Sequence, residues 1–312
     1  MSAASDSLLT AAPAVTSGNR STRGWLGFPA FAIIGAFMGG PLLIVIVYSL
    51  LEPATYGGVV WNFSTDAYRQ FLFEQDMFDP AIWTFQSAYI EILLRSFVLA
   101  LAATAGCLII GFPTAWFIAT RPRRQRTVWL FLITIPYWTN LLIRTLSILL
   151  VLRDEGPVNQ VLMALGILRT PLPLAYNDWA VEIGLIYSYL PFMVLPIFAA
   201  MERLDLRLLD AASDLYAGRA AILRHIIFPL SKGGVAAGCI LVFIPSVGTY
   251  LAPDLLGGGK SMMIGNLIAL QFQQSRNWPF GAALAVILLT IVLLILLAQA
   301  ARSKPGRQRL HP

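Results

Sequence analysis

The sequence LDAASDLYAGRAAILRHIIFPL at residues 209–230 alternates charged and apolar side chains in an amphipathic pattern. It lies between two apolar segments that are each long enough to cross a membrane. The small side chains of Ala211 and Ala212 allow a helix to approach another surface closely, and Pro229 is expected to end that helix. This pattern is typical of a short helix on the charged side of a membrane protein, and it predicts an all-α membrane fold.

The composition of the chain is that of a membrane protein. Of 312 residues, 57% are hydrophobic and only 12% are charged, whereas a soluble domain carries about 25% charged residues. In a soluble protein the net charge of +6 would indicate nucleic acid as a partner. Here the arginines cluster in a few loops, which favours an orienting role at a membrane and excludes nucleic acid. Cys107 and Cys239 fall in apolar segments and are interpreted as packing residues, so no metal site is predicted.

A transmembrane helix needs about 20 mostly apolar residues. Six segments meet this length, and each of them carries at most one charged residue. They span residues 28–51, 96–120, 127–152, 179–201, 233–253 and 279–301. We therefore predict six transmembrane helices. The first is expected to remain as an anchor, because it is much longer than the apolar core of a signal peptide.

Lysine and arginine are distributed unevenly between the loops on the two sides. The N-terminal tail, the loops after the second and fourth segments and the C-terminal tail hold 15 of them, and the opposite loops hold 6. Positive charge concentrates in cytoplasmic loops. We therefore predict a multi-pass protein of the bacterial inner membrane, surrounded by lipid, with both termini in the cytoplasm. Residues 1–24 are rich in Ala, Ser and Thr and are predicted to be a disordered tail.

The amphipathic stretch resembles the cytoplasmic loop by which permease subunits of ATP-binding-cassette importers dock onto their ATPase, in the binding-protein-dependent, MetI-like family. That family has the order Glu-Ala-Ala, a glycine at the seventh position, and Ile-x-Leu-Pro. The residues that the resemblance assigns to ATPase coupling are Asp210, Ala211, Ala212, Tyr216, Ala217, Gly218, Ile226 and Pro229. Asp210, Tyr216 and Phe228 depart from the family pattern, and Gly218 follows two residues late as a displaced turn.

Other segments resemble spermidine/putrescine permease subunits, and among these the first of the two permeases, the PotB type. The most specific are Asp254-Leu-Leu-Gly-Gly and Trp278-Pro-Phe-Gly. The resemblance implies a six-helix type I importer permease over residues 25–303, with a coupling loop at 202–232 and a cytoplasmic tail at 304–312. The implied partners are a second permease subunit, two ATPase subunits and an external substrate-binding protein.

The resemblance implies that this chain has no catalytic residue and binds no cofactor, because ATP and Mg²⁺ belong to the partner ATPase. The sequence GGGKS at residues 257–261 does not contradict this. A phosphate-binding loop requires glycine five residues before the glycine of its Gly-Lys-Ser, and Asp254 occupies that position. The stretch also falls in a loop predicted to be external.

A polyamine is a flexible chain of ammonium groups, so its path needs carboxylates for charge and aromatic faces for cation–π contact. The residues predicted to line the path are Trp138, Glu182, Tyr187, Tyr189 and Asp254. Tyrosine and tryptophan also form belts at the membrane surface, and Glu182 is near enough to a segment end to be solvated. Arg144 would repel a cation and is interpreted as structural, paired with a carboxylate or with carbonyl groups at a helix end.

The positions of polar residues, proline and glycine predict how the third and fifth spans are built. A polar stripe is predicted on the third span, and the fifth span is expected to break, as helices do where a transporter meets its substrate. The stripe consists of Tyr137, Asn140, Arg144 and Ser147, and the break is expected at Pro245 and Gly248.

The main hypothesis is a permease subunit of an ATP-driven importer that forms half of the path for polyamines or similar cationic amines. Opines and amino-acid-like compounds are the alternative substrates within that class. A six-helix channel or an ion-coupled carrier is the alternative from another class, although the internal repeats typical of carriers are not found. A membrane enzyme has the weakest support, because no nucleophile–base pair is recognised.

Overall fold

The computed structural model describes residues 20–75, 83–204 and 207–302 of the chain. Most of these residues are helical, as the hydropathy pattern predicts. The helices are α1 (Arg20–Tyr48), α2 (Asp66–Arg69), α3 (Ala88–Ala119), α4 (Arg123–Thr134), α5 (Leu141–Leu152), α6 (Pro157–Ala164), α7 (Asp178–Met201), α8 (Arg207–Asp214), α9 (Arg219–Ile222), α10 (Phe228–Gly248), α11 (Leu251–Leu256), α12 (Ile264–Gln273) and α13 (Trp278–Arg302). A 3₁₀ turn (Ile135–Trp138) follows α4, and a π turn (Leu223–Ile227) precedes α10.

Short strands connect α1 to α3. Strand β1 (Leu51–Pro53) pairs antiparallel with β2 (Val59–Phe63), and β3 (Phe73–Gln75) pairs antiparallel with β4 (Trp83–Phe85). The fold is therefore helical with two small two-stranded sheets, which the prediction of an all-α protein did not include.

Residues Met1–Val47 form one unit and Tyr48–Pro312 a second. In the first unit the described residues belong to α1, which begins at Arg20. Residues 20–24 of the tail predicted to be disordered are thus helical, because the apolar helix continues through them. The remainder of that tail, residues 1–19, lies outside the described residues, as does the predicted C-terminal tail at 304–312.

Within the described residues, four helices are long and apolar enough to cross a membrane, namely Ala88–Ala119, Asp178–Met201, Leu223–Gly248 and Trp278–Ala301. A fifth span results if the bent pair Arg123–Trp138 and Leu141–Ala164 is counted as one. Ala32–Tyr48 is apolar but shorter. The six predicted segments correspond to these four helices, the bent pair and the short helix.

The third predicted span is broken by 92° between the 3₁₀ turn and α5. The backbone is extended at Thr139, and the Asn140 side chain caps α5 by accepting a hydrogen bond from the Leu142 N–H at 2.8 Å. The prediction that these polar residues share one helix face is therefore wrong. Tyr137 lies before the break, and Arg144 lies after it.

The core of the second unit is made by α3, α7 and α10, whose small residues allow close approach. A Cβ atom added at Gly111 of α3 would lie 2.9 Å from Cγ of Met193 in α7, and one added at Gly238 of α10 would lie 2.8 Å from Sδ of the same methionine. Cys107 is buried in this core as a free thiol, with Sγ 3.6 Å from the Ile186 carbonyl oxygen. Helix packing of this kind is typical of membrane bundles, where small side chains let the helices approach closely and van der Waals contacts hold them together.

Helix α10 is continuous with the two elements before it. The Phe228 N–H bonds to the Leu223 carbonyl five residues earlier, which is the spacing of a π turn. Pro229 follows this turn at the start of α10. A widened turn makes room for the ring that would otherwise clash with the carbonyl four residues before it. The expectation that Pro229 ends a helix is therefore wrong.

The fifth predicted span does end early, but at Gly248. Pro245 lies inside the last turns of α10 and does not break it. Thr249 adopts an extended conformation, and the chain continues as the separate helix α11. The predicted break is thus confirmed at Gly248 and wrong at Pro245.

Candidate functional site

Two neighbouring cavities lie where the broken third span meets α7 and α10. The larger, of about 620 Å³, is lined from the 3₁₀ turn, α5, α7 and α10. The smaller, of about 430 Å³, is lined from α5 and α7. Arg144 and Thr139 line both cavities, so the two share part of their walls.

Arg144 holds the break in the third span together. Its side chain is only 6% exposed. Nη2 donates hydrogen bonds to the carbonyl oxygens of Tyr137 at 3.0 Å and Thr139 at 2.9 Å, and Cζ lies 5.3 Å from the centroid of the Tyr137 ring. These carbonyls are left without helical partners where the 3₁₀ turn ends. The interpretation of Arg144 as a structural residue paired with helix-end carbonyls is confirmed.

Aromatic side chains form much of the wall of the larger cavity. Tyr137 meets Phe192 edge to face with the ring centroids 4.9 Å apart. Tyr189 donates from its hydroxyl to the Pro245 carbonyl oxygen at 3.3 Å, which satisfies an acceptor near the end of α10. Tyr189 was predicted from the sequence as a path residue, whereas Phe192, which lies three residues beyond it on the same helix, was not.

The five residues predicted for the substrate path are only partly brought together. Tyr187 lines the smaller cavity and Tyr189 the larger. Trp138 lies at the end of the 3₁₀ turn with 81% of its surface exposed, and it lines neither cavity. Glu182 is 8% exposed, also lines neither cavity, and leaves Oε1 without a hydrogen-bond partner among the described residues.

Asp254 belongs to a third, smaller cavity of about 140 Å³ between α11 and α12. The carboxylate is exposed there beside amide side chains, including that of Asn266. Asn266 donates through Nδ2 to the Tyr250 carbonyl oxygen at 2.7 Å and so fixes one wall. The cavity combines one negative charge with several hydrogen-bonding side chains.

The GGGKS stretch is tied to α3 and α7 through Arg95 and Asp178, which form an ion pair with each other. Arg95 of α3 donates to the Lys260 carbonyl oxygen at 2.7 Å and to Oδ1 of Asp178 at 2.5 Å. Buried Ser261 donates to the same Asp178 carboxylate. The loop is thereby tied to the first turns of α3 and α7, with its backbone turned by positive φ at Gly258 and Gly259.

The predicted coupling loop contains α8, a turn, and the continuous helix that starts with α9. Neighbouring alanines on α8 have different surroundings, since Ala211 is exposed and Ala212 is buried against its own chain. The side chain of Asp210 lies outside the described residues. Ile226 is half-buried in the π turn.

The turn after α8 is closed by Tyr216. The Ala217 N–H bonds to the Ala212 carbonyl oxygen at 3.1 Å, which makes Tyr216 the residue that takes left-handed geometry in a Schellman ending. Its φ is +56°, a conformation that costs a non-glycine residue about 1–2 kcal/mol. Tyr216 therefore adopts the turn conformation that was expected at Gly218. It does so at the position where the family pattern has glycine. Its side chain is 98% exposed.

Comparison with known proteins agrees with this architecture. A family model described as the binding-protein-dependent transport system inner membrane component matches residues 108–303. The chain is 41% identical over 257 residues to the spermidine/putrescine transport system permease protein PotB of Escherichia coli K12, covering 82% of this chain and 89% of that protein. It is 40% identical over 212 residues to the PotB protein of Haemophilus influenzae, covering 68% and 74% of the two chains.

Solved structures show the same fold at low sequence identity. A bacterial alginate ABC transporter in complex with a periplasmic protein bound to an alginate pentasaccharide superposes with a TM-score of 0.66 at 16% identity, covering 91% of this chain and 95% of that one. An inward-facing MetNI methionine ABC transporter gives a TM-score of 0.52 over 67% and 91% of the two chains, also at 16% identity. With the family model matching more than half of its length, the chain belongs to the binding-protein-dependent transport system inner membrane components, the permeases of ABC importers.

Proposed function

We propose that this chain forms half of the membrane path of an ATP-driven importer for polyamines or similar cationic amines. The observation that carries the substrate class is the 41% identity to a spermidine/putrescine permease across 82% of the chain. The structure adds the aromatic rings of Tyr189 and Phe192 to the wall of the larger cavity, and such rings suit an ammonium group. Asp254 supplies a carboxylate in the separate cavity between α11 and α12.

The proposed complex contains a second permease subunit, two ATPase subunits and an external substrate-binding protein. ATP and Mg²⁺ bind to the ATPase, and α8 with its turn docks onto that subunit. Opines and amino-acid-like compounds are the alternative substrates, and buried Arg144 is the observation that favours a substrate with a carboxylate. Membership of a binding-protein-dependent family argues against an isolated channel or an ion-coupled carrier.

The substrate proposal predicts that Asp254→Asn reduces polyamine uptake. The change preserves size and removes the charge, and opposite charges a few ångströms apart in a wet cavity contribute about 1–4 kcal/mol. We expect the apparent affinity for spermidine to fall about tenfold in proteoliposomes containing the whole complex. The inhibition of uptake by a neutral amino acid should not change.

Asp154→Asn is the matched control, because Asp154 is also exposed and belongs to another loop on the predicted external side. Equal uptake by both variants and the parent would remove Asp254 from the path. If the parent complex neither transports polyamines nor hydrolyses ATP in response to them, the substrate class is wrong.

The orientation proposal places both termini in the cytoplasm and the β1–β2 hairpin outside. Cys107 and Cys239 are first replaced by alanine, and single cysteines are then introduced at Ser7 and at Tyr56, which is 91% exposed. We expect an impermeant maleimide to label the Tyr56→Cys variant from the external side and the Ser7→Cys variant only after the membrane is opened. Labelling of both from the same side would contradict the orientation.

A further inference from the structure

The guanidinium of Arg144 is buried with its hydrogen bonds incomplete. Nη2 is bonded to two backbone carbonyls, but Nε is buried and has no acceptor among the described residues. The group borders both cavities of the candidate site. One buried donor of this cation is therefore left without an acceptor in the part of the chain that the structure describes.

The charge of Arg144 is also uncompensated within the part of the chain that the structure describes. Arginine stays protonated in proteins, and a buried charge without a counter-charge is strongly unfavourable. The ion pairs present there join Asp66 to Arg69, Asp178 to Arg95 and Glu202 to Arg126, and none includes Arg144. The residues that line the two cavities include no carboxylate. Backbone carbonyls supply partial charge only, so the described residues around Arg144 provide no full negative charge to balance it.

We propose that a carboxylate on a membrane helix of the second permease subunit enters these cavities and pairs with Arg144. This inference rests on the proposed function, which supplies the second subunit and a cationic substrate. A polyamine carries positive charge only and would be repelled by an unpaired guanidinium, so the substrate does not provide the counter-charge. A carboxylate from the partner neutralises Arg144 and removes its repulsion of an ammonium group at the aromatic wall of the larger cavity.

The pairing also explains how a permease of two different subunits keeps its arrangement. A buried cation on one chain and a buried anion on the other are both satisfied only in the mixed pair. In an assembly of two copies of this chain, the carboxylate of the second permease would be missing and both buried Arg144 side chains would stay unpaired, which is strongly unfavourable. Arg144 thus acts as a specificity-determining residue for the choice of partner subunit.

The test is a charge reversal in the complete complex. Arg144→Glu is expressed with the other subunits, and each carboxylate in the membrane helices of the second permease is replaced by lysine in turn. We expect Arg144→Glu alone to reduce both the co-purified second permease and spermidine uptake by at least about tenfold. One lysine replacement in the partner should restore both. Arg153→Glu is the control, because Arg153 is exposed at the end of the same helix, and it should behave as the parent.

A second measurement keeps Arg144 in place. In a variant without Cys107 and Cys239, Thr139→Cys places a thiol on the wall that Arg144 shares between the two cavities. A disulfide should form with a cysteine introduced one helical turn from the carboxylate that rescues Arg144→Glu, and with none introduced elsewhere in the partner.

Three outcomes separate this proposal from the substrate class. If no lysine replacement restores Arg144→Glu, and Arg144→Met assembles and transports as the parent does, the pairing is wrong. If Arg144→Met assembles normally but loses inhibition of uptake by γ-aminobutyrate or ornithine, the substrate supplies the carboxylate and the pairing is again wrong. If the parent transports no polyamine but a reversed pair still restores co-purification, the pairing is supported and only the proposed substrate fails.

Discussion

Ala211→Asp is expected to abolish ATP-driven uptake while the chain still inserts into the membrane. Ala211 is exposed on α8, next to Ala212, which is buried against its own chain. If α8 docks onto the ATPase, a carboxylate at Ala211 becomes buried in that interface without a counter-charge. Such a charge costs roughly 3–5 kcal/mol, which is a loss of more than about a hundredfold in binding. The measurements are retention of the ATPase during purification and substrate-stimulated ATP hydrolysis in proteoliposomes.

Ala301→Asp provides the matched control. Ala301 is exposed near the end of α13, on the side predicted to be cytoplasmic, and lies outside the coupling loop. The same chemical change there should leave ATPase retention at the level of the parent. Normal hydrolysis and uptake by Ala211→Asp would show that α8 is not the docking helix.

Gly234→Val is expected to prevent stable packing of α10 against α7. A Cβ atom at this position would lie 2.5 Å from the Pro196 carbonyl oxygen, 2.6 Å from Cβ of Ala200 and 3.1 Å from Cα of Ile197. Two of these three atoms are backbone and cannot rotate away. Inserting atoms into a packed core costs typically about 1–3 kcal/mol, and occasionally more. A large fall in the melting temperature of the purified protein in detergent, followed by tryptophan fluorescence, should reveal this.

The adjacent glycine offers a control of the same chemistry. A Cβ atom at Gly233 would meet nothing within 4 Å. Gly233→Val should therefore leave the melting temperature close to that of the parent, because it changes helix propensity only slightly. Similar melting temperatures for the two variants would contradict the close packing of α7 and α10.

Hydropathy and the positions of charged residues predicted most of the fold. The long apolar runs of α3, α7, α10 and α13 carry a signal that tertiary contacts do not alter. The breaks were harder to predict, because they depend on local geometry. Asn140 caps the N-terminus of α5, although its spacing from Tyr137 and Arg144 predicted one continuous polar face. A π turn accommodates Pro229 without ending the helix, and hydropathy does not predict a π turn.

The candidate site was predicted only in part, because periodicity shows which residues share a helix face but not what that face meets. Tyr187 and Tyr189 reach the two cavities, whereas Glu182 is buried outside them. The same limit applies in the coupling loop, where the sequence treats Ala211 and Ala212 alike. A charge at Ala212 would test the packing of α8 on its own chain instead of docking. The role of Arg144 was predictable, because a lone cation in an apolar segment must find acceptors.

The π turn at Leu223–Ile227 has a mechanical consequence. Because it keeps the helix unbroken past Pro229, one rod runs from residue 219 to residue 248 and spans about 45 Å at 1.5 Å per residue. One end lies beside the Tyr216 turn, and the other ends just beyond Pro245, whose carbonyl is bonded to Tyr189. A movement of the loop would then be carried along this helix to Leu241 and Pro245, which line the larger cavity. If α8 docks onto the ATPase as proposed, one continuous backbone therefore connects the docking loop to the wall of the cavity.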